Sequence, residues 1–461
     1  MNRPRRRIRL GAFYPGTNST AVWSDPAWHD YMEFGSFVHL ARTAEHAGFD
    51  FFFLAEALRL REQHGRVYER DVAGRPDNVT MLAALAAVTE HIGLVATVNS
   101  TFNEPYEVAR QFATLDQLTC GRAGWNVVTS WERFVGENFR RGGFLAQEQR
   151  YERARLFLDA ALGLMRSWRP GDVVADRRAG RFLRDPRAGA FEHHDAQFDI
   201  AGRFNVPCGP QGVPVIFQAG GSEQGREFAA ATADVIFGMY SDTAEKKRFY
   251  ADVKARLPRY GRTADSLLVM PASTFALGET EAEAQEAARV VRRLQIDGAS
   301  AIRFLEQLWN RDLSGYDPEG PLPAIDPALD ADGVASRLAS VRHYPDRMAT
   351  AAQWRALAEA GKLSIRDLVI EVTGRQTFIG TPASVAAQMA ELVDQDACDG
   401  FVMVPHLVPG GLDEFADNVL PLLQERGLVR TGYEGATLRE NLGLPACDPT
   451  FTVRRATFAE P

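Results

Sequence analysis

The feature that most constrains the fold of this chain is a regular alternation between short apolar segments and longer segments with helical periodicity. Eight segments are rich in β-branched or aromatic residues and end at turn residues, which predicts β-strands. These strand segments are 7–13, 49–54, 92–98, 122–130, 213–218, 234–239, 267–275 and 400–404. Segments with apolar residues at helical spacing follow them, at 37–48, 78–88, 106–118, 151–168, 223–233, 246–256, 383–393 and 414–424.

A series of βα units favours parallel strands joined by right-handed crossovers, and eight of them most simply close into an α/β fold, the (β/α)8 TIM barrel. An open, doubly wound sheet is the alternative. Two large insertions interrupt the alternation, one rich in Pro, Gly, Arg and Asp at about 169–212 and one mostly helical at about 277–362. Residues 430–461 are predicted to form a C-terminal tail that packs on the body or on another subunit. We therefore expect residues 1–461 to form a single barrel domain.

The composition excludes several classes of partner. The formal net charge is −8, which favours neither a nucleic acid nor a membrane surface. No apolar span reaches the roughly 18 residues of a membrane helix, and the arginines at 3–7 are not followed by the apolar run of a signal peptide.

The scattered cysteines form no CxxC pair, which predicts reduced thiols in a cytoplasmic protein. The sequence also lacks HxxxH and HExxH motifs, so we expect no metal site.

In such a barrel, functional side chains gather at the carboxyl ends of the strands. This rule selects Glu56 after the second strand, Thr97 near the end of the third and Ser130 after the fourth. A carboxylate directly after five apolar residues is conspicuous, although pairing with a nearby arginine would also explain Glu56. The polar side chains of the fourth strand need partners if they are buried, and either a ligand or the protein interior can supply them.

The segment after the fifth strand, Gly220 to Ser222, has the character of an anion site. Small residues let backbone N–H groups approach an anion, and the start of the following helix adds partial positive charge. An ordinary serine-capped turn is the alternative. Arg226 and Glu227 stand where a P-loop requires Lys and Ser or Thr, which excludes a nucleoside triphosphate site. No GxGxxG motif follows the first strand, so a Rossmann NAD(P)H site is not expected.

Gln147 and Tyr151 lie four residues apart at the start of the fourth helix and therefore share one helical face. The Tyr151 hydroxyl can donate a hydrogen bond to a phosphate, with Gln147 beside it. Alternatively, both residues cap and pack the helix entrance.

Four stretches carry a resemblance to a known family. They are FDFFFLAEAL, NEPYEVARQFATLDQLTCGRAGWNVVTS, RYERARLFLDA and PQGVPVIFQAGGSEQGREFAAATADVIF. Over roughly residues 7–425 the chain resembles the bacterial-luciferase-like flavin monooxygenases, in the branch that contains nitrilotriacetate monooxygenase, dibenzothiophene-sulfone monooxygenase, pristinamycin IIA synthase and long-chain alkane monooxygenase. The blocks GRAGWNVVTS and QAGGSEQGREFAA are the most specific to this branch.

The resemblance implies a monooxygenase of a two-component system. A separate NAD(P)H-dependent flavin reductase would supply reduced FMN (FMNH2), and O2 would be the co-substrate. The enzyme would oxygenate a small organic substrate, in this family often with cleavage of a C–N or C–S bond, as a homodimer or homotetramer. The alternatives are a deazaflavin-dependent oxidoreductase on the same barrel and a flavin-binding protein without turnover.

The resemblance also implies a set of flavin contacts, without naming a catalytic residue. The implied FMN-binding residues are Glu56, Thr97, Ser130, Gln147, Tyr151, Gly221 and Ser222. Three of these positions depart from the usual family pattern: Glu56 stands where Asp is usual, Gln147 replaces a histidine, and Gly221 stands where a second serine is common. The entry segment PGTNSTAVW also departs, since it keeps Gly16 and Trp23 but lacks the histidines usual between them. Gln147 can still form hydrogen bonds but cannot become cationic.

Overall fold

The computed structural model describes residues 6–16, 20–29, 31–60, 62–63, 66–67, 75–130, 135–139, 145–238, 242–328, 346–373 and 377–447. In chain order the strands are β1 (Arg9–Phe13), β2 (Phe51–Leu54), β3 (Glu62–Gln63), β4 (Arg66–Val67), β5 (Gly93–Asn99), β6 (Ala123–Val128), β7 (Val173–Asp176), β8 (Arg181–Leu183), β9 (Ala190–His194), β10 (Asp199–Arg203), β11 (Val215–Ala219), β12 (Val235–Phe237), β13 (Leu268–Val269), β14 (Ala272–Ser273), β15 (Phe275–Leu277), β16 (Phe378–Gly380) and β17 (Gly400–Met403). The helices are α1 (Phe34–His46), α2 (Asn78–Ala86), α3 (Pro105–Leu118), α4 (Gln147–Arg166), α5 (Glu223–Thr232), α6 (Thr243–Arg256), α7 (Glu281–Gln295), α8 (Gly298–Trp309), α9 (Arg347–Gly361), α10 (Ile365–Thr373), α11 (Pro382–Asp394), α12 (Asp413–Asn418), α13 (Leu420–Glu425) and α14 (Leu438–Leu442).

The central sheet is parallel throughout and closes through the segment from Leu268 to Ser273. Its first half, β13, pairs with β12, and its second half, β14, pairs with β17, which in turn pairs with β1. On one side the N–H of Leu268 donates to the carbonyl of Asp234, and on the other the carbonyl of Val269 accepts from the N–H of Asp399, both at 2.8 Å. With β13 and β14 counted together, the described residues form a ring of eight parallel strands. The predicted (β/α)8 barrel is confirmed.

Side chains on the barrel strands alternate between the interior and the surrounding helices, as the two-residue period of a strand requires. On β6, Trp125 is fully buried and points outward, where its ring stacks on Phe112 at 5.1 Å and meets Phe157 edge-on at 6.1 Å. Asn126, the next residue, therefore points into the barrel. Its partner in the strand register is Thr97 of β5, which also points inward.

The C-terminal tail fills the amino-terminal end of the barrel and contains the short helix α14. Leu438, Leu442 and Leu444 form one apolar cluster with inward residues of the barrel such as Val95 and Phe51. The N–H of Leu438 donates to the carbonyl of Gly121 at 3.0 Å. Arg439 forms a two-pronged ion pair with Asp234, at 3.0 and 2.8 Å. This end of the barrel is therefore packed with side chains.

The two insertions differ in structure. Within 169–212, the short strands β7 to β10 form two antiparallel hairpins. In the second insertion, α8, α9 and α10 pack around an apolar core of their own, which includes Trp309, Trp354 and Leu368. Helix α10 ends at Thr373, so the interruption runs past the predicted boundary at 362, and residues 329–345 lie outside the described part of the chain. In the described ranges, no helix is both long and apolar enough to span a membrane.

Candidate active site

The turn from β11 into α5 is built by Ser222. This residue has extended backbone angles (φ −68°, ψ 162°) and is the N-cap of α5, so its hydroxyl oxygen accepts a hydrogen bond from the N–H of Gly225 at 3.1 Å. Its carbonyl accepts from the N–H of Arg226 at 2.9 Å. Since an N-cap oxygen satisfies only one of the backbone donors of the first helical turn, the remaining donors and the helix dipole favour an anion at this position.

Tyr151 of α4 meets this turn from the neighbouring βα unit. Its hydroxyl oxygen lies 3.4 Å from the hydroxyl oxygen of Ser222, and its ring packs at a tilt against Phe228, 6.1 Å between centroids. A Cβ atom at Gly225 would lie 2.9 Å from the Tyr151 hydroxyl and 3.2 Å from that of Ser222. The glycine therefore permits the two hydroxyls to converge, and Ser222, Gly225 and Tyr151 together form what we call the hydroxyl cradle.

A second polar cluster lies at the mouth of the barrel, where β2 and β5 end. Both carboxylate oxygens of Glu56 lie near one donor, the side-chain N–H2 of Asn99, at 3.3 and 3.2 Å. The amide oxygen of Asn99 accepts from the N–H of Phe102 at 2.7 Å. Because this acceptor is used, the donor side of the Asn99 amide must face Glu56. Asn99 is almost completely buried, whereas Glu56 is partly exposed.

The environment of Glu56 favours its protonated form. Burial raises the pKa of Glu56 to about 8. Hydrogen bonds from the side chain and the backbone of Asn99 oppose the rise, and the negative charge of Asp77 adds to it. Removing a carboxylate from water disfavours its charge unless a cation or several donors compensate. Among the described residues, Asp77 provides the only charge that acts on this carboxyl. The alternative explanation for Glu56 was an ion pair with a nearby arginine. Among the described residues, no arginine charge acts on this carboxyl.

A third cluster joins Thr97 and Asn126 inside the barrel. The side-chain N–H2 of Asn126 donates to the hydroxyl of Thr97 at 3.0 Å, and both residues are at least 97% buried. The amide oxygen of Asn126 is buried and has no hydrogen-bond partner among the described residues. A buried acceptor without a partner is costly, so this atom marks a place where a ligand donor or a water molecule would be stabilising.

The remaining predicted site residues do not belong to these three clusters. Ser130 lies two residues beyond the end of β6 with a left-handed backbone (φ 43°), and Gly221 is exposed in the turn before Ser222. Gln147 is the first residue of α4, but its side chain lies outside the described part of the structure. The structure thus brings Tyr151 and Ser222 into contact. Glu56 follows β2, and Thr97 lies on the neighbouring strand β5.

The sequence interpretation missed Asn99 and the supporting residue Arg153, and it left the role of Asn126 open. The predicted third strand ended at 98, one position short of Asn99, so the strand-end rule did not select the residue that holds Glu56. Asn126 is one of the polar residues of the fourth strand for which the sequence left either a ligand or the protein interior as partner, and it is not among the implied flavin contacts. Arg153, two residues after Tyr151 on α4, donates to the carbonyls of Ser100 and Asn103 at 2.9 and 3.1 Å. It thereby ties the loop after β5 to α4, and no sequence signal marked it.

Comparison with known proteins identifies the family. The family described as luciferase-like monooxygenase matches residues 8–397. The chain belongs to this family. It is 38% identical to nitrilotriacetate monooxygenase component A of Aminobacter aminovorans over 427 residues, covering 90% of this chain and 91% of that protein. It is 37% identical to N-acetyl-S-(2-succino)cysteine monooxygenase of Bacillus subtilis (strain 168) over 450 residues, covering 96% and 98%.

Among solved structures, a riboflavin lyase with modified FMN and its substrate riboflavin matches this luciferase-like monooxygenase with a TM-score of 0.78 and 30% identity, over 96% of this chain and 97% of that one. The family and branch predicted from the sequence are confirmed, and the protein is a flavin-dependent monooxygenase.

The residues at the barrel mouth fit a flavin that carries a phosphate. The hydroxyl cradle offers two hydroxyls and a helix amino terminus to an anion. The unpartnered oxygen of Asn126 offers an acceptor to a ring N–H. Phe217 of β11 pairs with Asn126, and the turn begins at Gly220, three residues or about 10 Å further along the strand. An elongated ligand with an anionic end and a polar ring therefore suits this arrangement.

Proposed function

We propose that this flavin-dependent monooxygenase is the oxygenase of a two-component system. It would take reduced FMN from a separate NAD(P)H-dependent flavin reductase and use O2 to oxygenate a small organic substrate. The observation that carries this proposal is the convergence of Tyr151 and Ser222 on the glycine turn at the start of α5. This is a site for the phosphate of a mononucleotide, since a helix amino terminus with two hydroxyl donors stabilises a dianion.

The proposed roles of the site residues follow from their positions. Tyr151 and Ser222 would donate hydrogen bonds from their hydroxyl groups to the phosphate. Gly221 is exposed and has no side chain, so it would leave room for the phosphate on the solvent side of the turn. The amide oxygen of Asn126, held by Thr97, would accept from the flavin ring. When bound, reduced FMN would supply the two electrons with which one atom of O2 enters the substrate while the other leaves as water. Glu56, Ser130 and Gln147 remain proposed flavin contacts on the strength of the resemblance.

We further propose that the substrate bears a C–N or C–S bond next to the oxidised carbon. The names of two relatives support this class, because nitrilotriacetate contains C–N bonds and N-acetyl-S-(2-succino)cysteine contains a thioether. Oxygenation at a carbon attached to nitrogen or sulfur gives a product that breaks at that bond, which is the expected chemical outcome.

The proposal of a separate reductase is supported by the sequence, which has no GxGxxG dinucleotide motif in a βα unit of this barrel. Purified protein with FMN and NADH or NADPH should therefore show no flavin reduction and no O2 uptake. Adding an unrelated flavin reductase should start O2 uptake, and a thioether or aminopolycarboxylate substrate should convert that uptake into product. Rapid flavin reduction by the protein alone would contradict the two-component proposal. Binding of reduced FMN without substrate-dependent product would indicate a flavin-binding protein, and turnover without O2 would indicate a deazaflavin-type oxidoreductase.

A further inference from the structure

The carboxyl group of Glu56 has a hydrogen-bonding arrangement that suits a proton donor. Its two oxygens share the side-chain N–H2 group of Asn99, at 3.3 and 3.2 Å, and the backbone N–H of the same residue is the other donor that acts on this carboxyl among the described residues. An ionised carboxylate accepts at both oxygens, whereas a protonated carboxyl accepts at one and donates from the other. Donors from one neighbouring residue, with the side-chain contacts at 3.2 Å or more and no cation among the described residues that acts on the carboxyl, suit the protonated form, which has an O–H left to offer.

The orientation of Asn99 makes this arrangement specific. Its amide oxygen accepts from the N–H of Phe102 at 2.7 Å, and its backbone carbonyl accepts from the side chain of Asn103 at 2.9 Å. Since a flipped amide would lose the bond from Phe102, Asn99 can offer Glu56 only donors. Arg153 fastens the same loop to α4 through the carbonyls of Ser100 and Asn103. The pair is therefore held by the fold rather than by a ligand.

The charges around Glu56 also favour the neutral carboxyl. The only charge acting on it from the described residues is that of Asp77, the N-cap of α2, which accepts from the N–H of Thr80 at 2.8 Å. A nearby negative charge and removal from water both oppose ionisation, and the pKa of Glu56 is raised to about 8.

The position of Glu56 allows it to reach the reaction. It follows β2 by two residues, at the carboxyl end of the barrel, and it contacts the last residue of β5, the strand that carries Thr97. It is partly exposed, whereas Thr97 and Asn126 are buried below the mouth. Active sites of these barrels lie at this end. A titratable group with a pKa near neutral pH at such a place is suited to proton transfer.

We propose that Glu56 is the proton donor of the oxygenation and delivers its carboxyl proton to the oxygen atom of O2 that leaves as water. This inference rests on the proposed function, which supplies O2 and the two electrons of reduced flavin. As the O–O bond breaks, its electron pair leaves with the oxygen atom that takes the proton from Glu56. The other oxygen atom is inserted into a C–H bond of the substrate, whose hydrogen stays on the product as the hydroxyl hydrogen. The Glu56 carboxylate then regains a proton from solvent, and the protons lost by the flavin on oxidation balance those in the water formed. Asn99 is a positioning residue for this step.

The test compares Glu56→Gln, Asn99→Asp and the control Glu90→Gln, whose carboxylate is exposed at the other end of the second βα unit. With reduced flavin supplied at saturation, wild-type kcat should fall above about pH 8, where the donor loses its proton. Glu56→Gln should lower kcat by about 100- to 10,000-fold and abolish that alkaline limb. Asn99→Asp should move the limb to higher pH, because it replaces the donor with a like charge. Glu90→Gln should match wild type in every respect.

A second measurement does not depend on turnover. In protein with 13C-labelled glutamate side chains, one carboxyl should titrate near pH 8 without flavin, and this signal should be absent in Glu56→Gln. The loss of kcat in Glu56→Gln should persist when reduced FMN is raised to saturation, so that a loss of flavin affinity does not explain it. The inference is overturned if Glu56→Gln keeps the alkaline limb, if its kcat recovers at higher flavin concentration, or if no glutamate titrates near pH 8. A failure of the proposed function is distinct, since wild-type protein would then give no product with reduced FMN at any pH.

Discussion

The hydroxyl oxygens of Tyr151 and Ser222 lie 3.4 Å apart, although 71 positions separate the two residues in the sequence. Tyr151 belongs to the helix that follows β6, and Ser222 caps the helix that follows β11, and these two strands are neighbours in the barrel. The contact therefore joins adjacent βα units at the carboxyl end of the sheet. If this is where the flavin phosphate binds, the two hydroxyls should affect flavin affinity in ways that can be separated from effects on the fold.

Tyr151→Phe tests the hydroxyl cradle most cleanly, because it removes the hydroxyl and retains the ring that packs on Phe228. A hydrogen bond to a charged phosphate contributes about 1.5–3 kcal/mol, so affinity for reduced FMN should fall roughly 10- to 150-fold. Anaerobic titration with reduced FMN measures the change. Tyr106→Phe is the matched control, since its hydroxyl contacts Asn205 at 3.3 Å in an exposed position. Equal affinities for wild type and Tyr151→Phe would separate this residue from the phosphate site.

Ser222→Asp tests whether the turn at the start of α5 binds a negatively charged group. Aspartate is as good an N-cap as serine, so α5 should keep its first turn and the protein its stability. The added negative charge should repel a phosphate and weaken FMN binding by at least about tenfold, while riboflavin, which lacks the phosphate, should bind almost as before. Isothermal titration with both ligands gives the comparison. Equal losses for FMN and riboflavin would show that the serine shapes the turn without contacting a phosphate.

The raised pKa of Glu56 predicts a pH dependence of stability. Between its ordinary pKa of 4.5 and its folded value of about 8, the folded protein holds a proton that the unfolded chain has lost. The free energy of unfolding therefore decreases with rising pH in this window, by at most about 1.4 kcal/mol per pH unit from this group. Glu56→Gln should remove that contribution, so its stability relative to wild type should increase from about pH 5 to pH 8. Urea unfolding at several pH values measures both proteins, and a constant difference would contradict the pKa assignment.

The packing of the tail into the barrel predicts a coupling between Gly93 and Leu438. A Cβ atom at Gly93 would overlap Cδ1 of Leu438, which is fully buried. Gly93→Ala should cost about 1–3 kcal/mol by overpacking and Leu438→Ala about 2–5 kcal/mol by loss of buried surface. The double variant should cost less than the sum, because the smaller residue makes room for the new methyl group. In the control, Gly93→Ala should be additive with Leu308→Ala in the separate core of the second insertion. Additivity at Leu438 would contradict the packing.

Much of the barrel was predictable because its signals are local. The run Phe51–Leu54 is apolar along its whole length, as a strand covered on both faces must be, and Ser222 stands directly before the periodic segment that it caps. Each of these patterns is complete within a few residues. The eight predicted strand positions accordingly agree with the observed barrel.

The contacts that define the site were harder to predict from the sequence, because they depend on strand register and on contacts between loops that are far apart in the sequence. Asn99 holds Glu56 across 43 positions, and the direction of its amide is decided by Phe102. The unpartnered oxygen of Asn126 follows from its inward orientation and from what Thr97 accepts, neither of which a local pattern contains. The packing of Leu438 into the barrel likewise depends on tertiary structure, since nothing in the tail sequence names its partners.

The most direct test of the central claim is a single turnover with labelled oxygen. The protein is mixed anaerobically with chemically reduced FMN and a substrate bearing a thioether or a tertiary amine, drawn from panels of both classes, and is then exposed to ¹⁸O₂. We expect at least one substrate to yield product with one ¹⁸O atom for each reduced flavin consumed, the second ¹⁸O atom in water, and no product without reduced FMN. Oxidation of reduced FMN with no ¹⁸O in any organic product across both panels would contradict the account.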